Sequence, residues 1–114
     1  MSPGRNAAAA RVRESAPVFA ALGDATRLRL VTRLCAEGPL SVTRLSEDVD
    51  VSRQAVSKHL AALQAAGLAR ARREGREQIW ALETRRLALA RETLDQISGQ
   101  WDSALARLRA FVES

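Results

Sequence analysis

The clearest alternation of apolar and polar positions in the chain runs from Val51 to Leu68 and predicts a helix with two different faces. One face is apolar, because its residues recur at i, i+4 and i+7: Val56, Leu60 and Leu63. The other carries hydrogen-bonding and small side chains: Arg53, Gln54, Ser57, Lys58 and Ala61. Ser52 is a suitable N-cap and Gly67 a suitable C-terminal stop. We expect the apolar face to be buried and the polar face to suit a groove.

A shorter helix is predicted immediately before this one. Ser41 is its N-cap, and the helix is expected to run through about Val49. Only Asp50 to Ser52 would then separate the two helices. A short helix, a tight turn and a second helix with a polar outer face form a helix-turn-helix, whose second helix enters the DNA major groove. The alternative is that two amphipathic helices simply build a core.

After Gly67 the period changes from 3.6 towards 2, which predicts a β-hairpin. Residues 68–73 and 77–82 would be its strands, with Gly75 at the tip. Its first strand and turn carry a group of arginines: Arg70, Arg72, Arg73 and Arg76. Against Glu74 they leave a net charge of +3 over residues 70–76. A solvated hairpin tip is the alternative, but after a helix-turn-helix this hairpin is better interpreted as a wing along the phosphate backbone.

Two helices are predicted upstream. Pro17 fits the first turn of the first, which ends at Gly23, and Asp24 caps the second. The second helix has an apolar stripe that we expect to be buried: Leu28, Val31, Leu34 and Cys35. Residues 1–13 are expected to form a loosely ordered basic tail, with the alternative that the alanines extend the following helix. Residues 14–114 are expected to form one domain.

From about Thr84 the chain is predicted to be helical, with Gly99 marking a bend or a break into two helices. An apolar stripe about five turns long follows this helix: Leu94, Ile97, Trp101, Leu105, Leu108 and Val112. One small domain cannot cover so much apolar surface, so the stripe through Leu108, together with Phe19 and Leu22, predicts a dimer interface. Packing within the chain against the first helix is the alternative, and the two arrangements are compatible.

Composition narrows the function further. With Lys and Arg outnumbering Asp and Glu by 18 to 13, the net charge of +5 favours a polyanionic partner. Cys35 is the one cysteine of the sequence, which excludes an internal disulfide and a multi-cysteine metal site. The sequence offers no Ser/His/Asp set and no phosphate-cradling glycine loop, so we do not expect an enzyme. No apolar run has membrane-spanning length, and a soluble cytoplasmic protein is expected.

Taken together, these segments resemble the ArsR-type winged-helix transcriptional regulators over Pro17 to Leu82. The resemblance is carried by FAALGDATRLRLVTRL (residues 19–34), PLSV (39–42), VSRQAVSKHLAALQAAGLA (51–69) and RREGREQIWAL (72–82). It implies a mainly α fold with a two-stranded β-hairpin, a winged helix-turn-helix that dimerises through its N- and C-terminal helices. It also implies a homodimeric repressor that binds an inverted repeat in double-stranded DNA and releases it when a small-molecule inducer binds.

The resemblance also assigns roles to residues. The recognition helix would face the major groove with Arg53, Gln54, Ser57 and Lys58. The wing would contact phosphate through its arginines, including Arg72, Arg73 and Arg76, as would the helix starts at Ser41 and Ser52. His59 matches a histidine common in that helix, and we expect it to be a structural, hydrogen-bonded residue.

Two features separate this sequence from the metal-sensing members that it resembles. Residues 43–48 lack the Cys-x-Cys motif that these members often carry in the first helix of the helix-turn-helix, and no histidine follows Thr84. We therefore expect no metal and no cofactor, and the sequence names no inducer. Two other functions remain open: a metal-responsive repressor that uses Cys35 and carboxylates, and a winged helix that binds only protein.

Overall fold

A computed structural model describes residues 3–113 of the chain. Within them the elements follow in this order: α1 (Pro3–Leu22), α2 (Ala25–Glu37), β1 (Leu40–Ser41), α3 (Val42–Ser46), α4 (Arg53–Ala65), β2 (Ala69–Glu74), β3 (Glu77–Leu82) and α5 (Thr84–Glu113). The strands form an antiparallel sheet in the order β1-β3-β2. The fold is therefore mainly helical with a small sheet, as the sequence predicted.

The core lies where the middle helices meet the base of the hairpin. Its fully enclosed apolar side chains come from α1 to α4 and the start of the hairpin: Val18, Leu30, Leu45, Val56, Leu60, Leu63 and Leu68. All three predicted stripe residues of α4 are among them, so the interpretation of that helix is confirmed. Burial of each such side chain contributes about 1.5–3 kcal/mol, and this fixes which face of α4 turns outward.

The buried face of α2 differs from the prediction. Leu30, Val31 and Leu34 face the core, whereas Leu28 is 49% exposed and Cys35 is also exposed. The three buried positions fall within about 100° of arc on the helix, and positions 28 and 35 lie roughly 100° from the centre of that arc. The expectation that Cys35 is a small core residue is therefore wrong.

The first helix is longer than predicted. It begins at Pro3, so Pro17 lies inside it rather than in its first turn. The expectation of a loosely ordered segment is wrong for residues 3–13, and the alternative, in which the alanines extend the helix, is confirmed. Alanine is the best helix former, and packing of α1 against α5 offsets the backbone hydrogen bond that Pro17 cannot donate.

The helix-turn-helix also differs in detail. Helix α3 ends at Ser46, not near Val49, so residues 47–52 separate it from α4. The Glu47 N–H bonds the Arg44 carbonyl at 3.3 Å, three residues back, which tightens the last turn and ends the helix. Strand β1 was not predicted. It is two residues long, too short to show a period, and it is defined by its pairing with Ile79 and Trp80 of β3.

Helix α5 is continuous from Thr84 to Glu113, so Gly99 does not break it into two helices. Its first half packs against α1, but the buried residues there are Ala90 and Thr93, whereas every residue of the predicted stripe is exposed. The stripe therefore does not pack within the chain as the alternative expected. From Ile97 to Glu113 every residue is exposed, including Trp101 at 63%. This segment extends about 25 Å beyond the packed part of the helix. Phe19 and Leu22 are partly buried against the core of the same chain. No helix among residues 3–113 is long and apolar enough to cross a membrane.

Candidate nucleic-acid interface

The two helices of the helix-turn-helix begin at the serines that the sequence indicated. Ser41 Oγ accepts a hydrogen bond from the Arg44 N–H, and Ser52 Oγ accepts one from the Ala55 N–H, each at 3.1 Å. At the other end of α4, Gly67 has a φ of 77°, the left-handed conformation of a helix C-terminal stop. Both caps are encoded locally, so the ends of α4 follow from a few neighbouring residues.

The outer face of α4 is exposed, as predicted. It presents Arg53, Gln54, Ser57 and Lys58, while its opposite face is held in the core. Arg53 and Lys58 have no acidic partner among residues 3–113, so both positive charges are available to a ligand. Ser52 is exposed at the start of the same helix, with its hydroxyl engaged in the cap.

Three separate parts of the chain meet in one groove beside α4. The α4–wing groove is lined by Ser41, Thr43, Arg53, Ser57, Arg76 and Gln78. Val42 and Glu77 complete the lining, and four of the eight residues were predicted, from the N-cap of α3, from α4 and from the wing: Ser41, Arg53, Ser57 and Arg76. Glu77 contributes a negative charge to the groove but forms no ion pair with Arg53 or Arg76. Gln54 and Lys58 lie on the exposed face of α4 but do not line this groove.

The groove residues that the sequence analysis missed are Val42, Thr43, Glu77 and Gln78. Thr43 is exposed on the first turn of α3, and Gln78 is paired across the hairpin with Arg73. Gln78 could have been identified from the alternation of side chains along the strand, because it lies on the same face as Trp80, two residues later. No local pattern identifies Thr43.

The wing is a tight hairpin anchored in the core. Gly75 has a φ of 60° and Arg76 a negative φ, the combination found in a two-residue type II′ turn. Trp80 is 4% exposed and fixes the base of β3 in the core. Because side chains alternate along a strand, Arg73 and Gln78 lie on the Trp80 face. Arg70 and Arg72 share the opposite face.

The wing arginines also differ in their partners. Arg72 Nη2 is 3.0 Å from Glu74 Oε1, and Arg70 Nη1 is 3.6 Å from Glu83 Oε2. Arg73 and Arg76 have no acidic partner among residues 3–113. The positive charge of the wing that no neighbouring acid compensates therefore lies at two residues. Arg73 is on the Trp80 face, and Arg76 is on the turn.

His59 connects α4 to the start of α2. Its side chain is 23% exposed, and Nδ1 lies 3.8 Å from Asp24 Oδ1, too far for a hydrogen bond. The expected hydrogen bond of His59 is therefore not found among residues 3–113. The pKa of Asp24 is lowered, chiefly by the hydrogen bond from the Arg27 N–H and further by His59 and Arg27.

Residues 3–113 contain no group of three or more His, Cys, Asp or Glu side chains that could hold a metal ion. The cysteine on α2 is exposed and has no metal-ligand cluster around it in the described part of the chain. The expectation that the protein uses no metal stays a prediction.

Comparisons with known proteins agree with this geometry. A family model described as a helix-turn-helix domain matches residues 22–72. The HTH-type transcriptional regulator Rv2034 of Mycobacterium tuberculosis is 40% identical over 94 residues, which cover 82% of this chain and 84% of that protein. An ArsR-like transcriptional regulator from Rhodococcus sp. RHA1 is similar in structure, with a TM-score of 0.68 and 39% identity over 88% of this chain and 93% of its own. The transcriptional repressor BigR from Xylella fastidiosa has a TM-score of 0.65 and 27% identity, over 81% and 92% of the two chains.

The similarity extends beyond the helix-turn-helix, because these matches span most of both chains. They are therefore longer than the 22–72 segment that the family model matches. These relatives are named as transcriptional regulators or as a transcriptional repressor. The chain belongs to the ArsR family of winged helix-turn-helix proteins and is a DNA-binding transcriptional regulator, not an enzyme.

Proposed function

We propose that this protein is a homodimeric repressor that binds an inverted repeat in double-stranded DNA. The observation that carries the proposal is the α4–wing groove, where the recognition helix, the start of α3 and the wing meet beside an exposed polar face of α4. A small-molecule inducer that weakens DNA binding completes the proposal. Similarity to the repressor BigR supports the direction of regulation, since a dimer bound over a promoter excludes polymerase.

Base recognition is assigned to the N-terminal half of α4. Gln54 can donate to and accept from one adenine edge, and Arg53 or Lys58 can reach the O6 and N7 of guanine or a phosphate. Ser57 lines the groove and can bond either a base or a phosphate. Their exposure, together with burial of the opposite face of α4, supports these roles.

Backbone contacts are assigned to the wing and to the helix starts. Arg73 and Arg76 would contact phosphate most strongly, because no acid in the described part of the chain pairs with them, and Arg70 and Arg72 would contribute less. Backbone amides near Ser41 and Ser52 would add further phosphate contacts. Such contacts fix the position of the protein on DNA without reading its sequence.

The dimer is assigned to α5 and α1. The exposed stripe of α5 is the surface that a second copy would cover: Leu94, Ile97, Trp101, Leu105 and Leu108. Phe19 and Leu22 would contribute only their exposed edges, since both already pack against the core. A two-fold axis would place the two copies of α4 about 34 Å apart, one turn of DNA, which is why an inverted repeat is expected.

Selection of bound duplexes from a random-sequence pool tests the proposal. The wild-type protein should enrich an inverted repeat. On that duplex, Gln54→Ala or Lys58→Ala should cost about 1–3 kcal/mol of binding free energy and relax base preference. Gln64→Ala is the matched control, because Gln64 is exposed near the C-terminal end of the same helix. Failure to enrich any sequence, or equal losses at Gln54 and Gln64, would contradict the assigned base reading.

A further inference from the structure

Two arginines of α2 reach across to the end of α3. Arg29 Nη2 donates a hydrogen bond to the Asp48 carbonyl at 2.6 Å, and Arg33 Nη1 donates one to the Arg44 carbonyl at 2.8 Å. Arg29 and Arg33 are one turn apart on α2, so they act from the same face. Their acceptors lie at the C-terminal end of α3 and in the turn that follows, and the Arg44 carbonyl accepts the Glu47 N–H at 3.3 Å as well.

The side chain of Arg33 is held on several sides. Its Nε is 2.9 Å from Glu37 Oε2, its Nη1 is 3.8 Å from Asp48 Oδ2, and only 17% of the side chain is exposed. The hydrogen bond to Glu37 raises the pKa of Arg33 and lowers that of Glu37. The guanidinium therefore stays charged and fixed in direction. Two nitrogens of the group thus bond two different acceptors, Glu37 and the Arg44 carbonyl, which holds it more firmly than the single contact of an isolated surface ion pair.

Helix α3 needs this support because it is very short. It spans five residues, and a helix of that length is not stable by itself. Val42 and Leu45 hold its inner side in the core, but hydrophobic contacts alone leave its end free to tilt. Thr43 on its outer side lines the α4–wing groove, so a tilt of α3 changes that groove.

We propose that Arg29 and Arg33 are positioning residues for DNA recognition. By holding the C-terminal end of α3 and the following turn, they set the angle at which α4 presents Arg53 and Gln54 to the bases. They act through backbone carbonyls and do not contact DNA. This inference rests on the proposed function, since it assumes that α4 reads a specific sequence.

The test compares Arg33→Met with Arg33→Lys and Arg107→Met. Lysine keeps the charge but not the fork, and Arg107 is an exposed arginine on the projecting part of α5, so its variant controls for the lost charge. Each protein is titrated against a duplex selected by the wild type and against a random 30-bp duplex. Circular dichroism checks folding, and Arg29→Met, which removes a single exposed hydrogen bond, is the second variant should Arg33→Met not fold.

For Arg33→Met we expect affinity for the selected duplex to fall roughly tenfold, with less than about a twofold change on the random duplex. The slope of log affinity against log salt should not change, because no phosphate contact is lost. Arg33→Lys should lie between this variant and wild type, and Arg107→Met should keep the ratio of the two affinities. Hydrogen exchange should accelerate in residues 42–48 of Arg33→Met.

The inference would be overturned if Arg33→Met kept the wild-type ratio of the affinities for the selected and random duplexes. If Arg33→Met does not fold, the same result for Arg29→Met would overturn it. So would a salt slope reduced by about one, because Arg33 would then be a phosphate contact. If the wild type itself shows no preference for any duplex, the proposed function fails instead. Hydrogen exchange without DNA would still report whether Arg33 holds α3.

Discussion

Ser15 and Thr93 bring two side-chain hydroxyl oxygens to 2.8 Å from each other where α1 packs against α5. Ser15 is fully buried and Thr93 is 3% exposed. The Thr93 hydroxyl also lies 3.2 Å from the Leu89 carbonyl, to which it can donate. Ser15 then donates to Thr93, an arrangement in which each hydroxyl has a partner. Thr93 has a second partner in its own helix, whereas Ser15 depends on Thr93.

This asymmetry predicts that Thr93→Val destabilises the protein more than Ser15→Ala. The valine leaves the Ser15 hydroxyl buried without its partner, which costs about 1–3 kcal/mol, whereas Ser15→Ala leaves Thr93 bonded to Leu89 and should cost about 0.5–1.5 kcal/mol. Urea unfolding at fixed protein concentration measures both. The double variant should be no less stable than Thr93→Val, because both hydroxyls are then gone.

Thr32→Val is the control for the intrinsic effect of valine in a helix. The Thr32 hydroxyl makes the same type of bond, to the Leu28 carbonyl at 2.8 Å, but Thr32 is exposed. Its replacement should change the free energy of unfolding by less than about 0.5 kcal/mol. Equal losses at Thr32 and Thr93 would show that the contact with Ser15 contributes nothing.

The elements that the sequence predicted correctly are those whose signals lie within a few residues. Ser52 marks the start of α4 because its hydroxyl accepts the Ala55 N–H, and Gly67 marks the end by its positive φ. Gly75 specifies the hairpin turn in the same way, by its φ. The exposed face of α4 follows from the same helical period that buries its opposite face. The roles of the predicted DNA-contacting side chains stay predictions.

The features that sequence reasoning missed depend on contacts between distant residues. Helix α1 begins at Pro3, and it packs against α5 through pairs such as Ser15 with Thr93. Cys35 is exposed because the core lies on the Leu30 side of α2, and no local pattern distinguishes these two faces. Thr43 enters the candidate interface only because α3 and the wing meet beside α4.

Asp24 should make stability depend on pH at the start of α2. Its carboxylate accepts the Arg27 N–H at 3.0 Å, and this bond is the main reason that its pKa lies below the ordinary value of 3.8. Because the folded pKa is the lower one, the stabilisation is complete above the unfolded pKa and disappears as pH falls through the folded pKa. The gap in melting temperature between wild type and Asp24→Ala should therefore be largest near pH 6 and shrink below about pH 4.

A neutral cap supplies the control for this pH dependence. Ser52 caps α4 through an equivalent bond to the Ala55 N–H but has no charge to lose. Ser52→Ala should lower the free energy of unfolding by about 0.5–2 kcal/mol. The gap in melting temperature between wild type and this variant should not narrow in acid. Parallel gaps for Asp24→Ala and Ser52→Ala between pH 6 and pH 2 would contradict the role of the Asp24 charge.

The exposed stripe of α5 should determine the oligomeric state. Trp101→Glu places a charge at the centre of the stripe, and burying an unpaired charge in an apolar interface is strongly unfavourable. We expect a dimer for wild type and a monomer for Trp101→Glu by light scattering coupled to gel filtration. Arg107→Glu changes charge on a face of α5 away from the stripe and should remain a dimer. Dimerisation of Trp101→Glu at micromolar concentration would place the interface elsewhere.

The wing arginines should separate into two pairs by their effect on salt dependence. Arg73→Ala/Arg76→Ala and Arg70→Ala/Arg72→Ala remove the same formal charge, so a difference between them reports local contacts rather than net charge. Removing Arg73 and Arg76 should reduce the slope of log affinity against log salt by about two and weaken binding to all duplexes similarly. Removing Arg70 and Arg72 should have a smaller effect, because Glu83 and Glu74 already compensate them. Equal changes in slope would mean that the acidic partners are displaced when DNA binds, and a larger change for Arg70 and Arg72 would place the phosphate backbone on the opposite face of the wing.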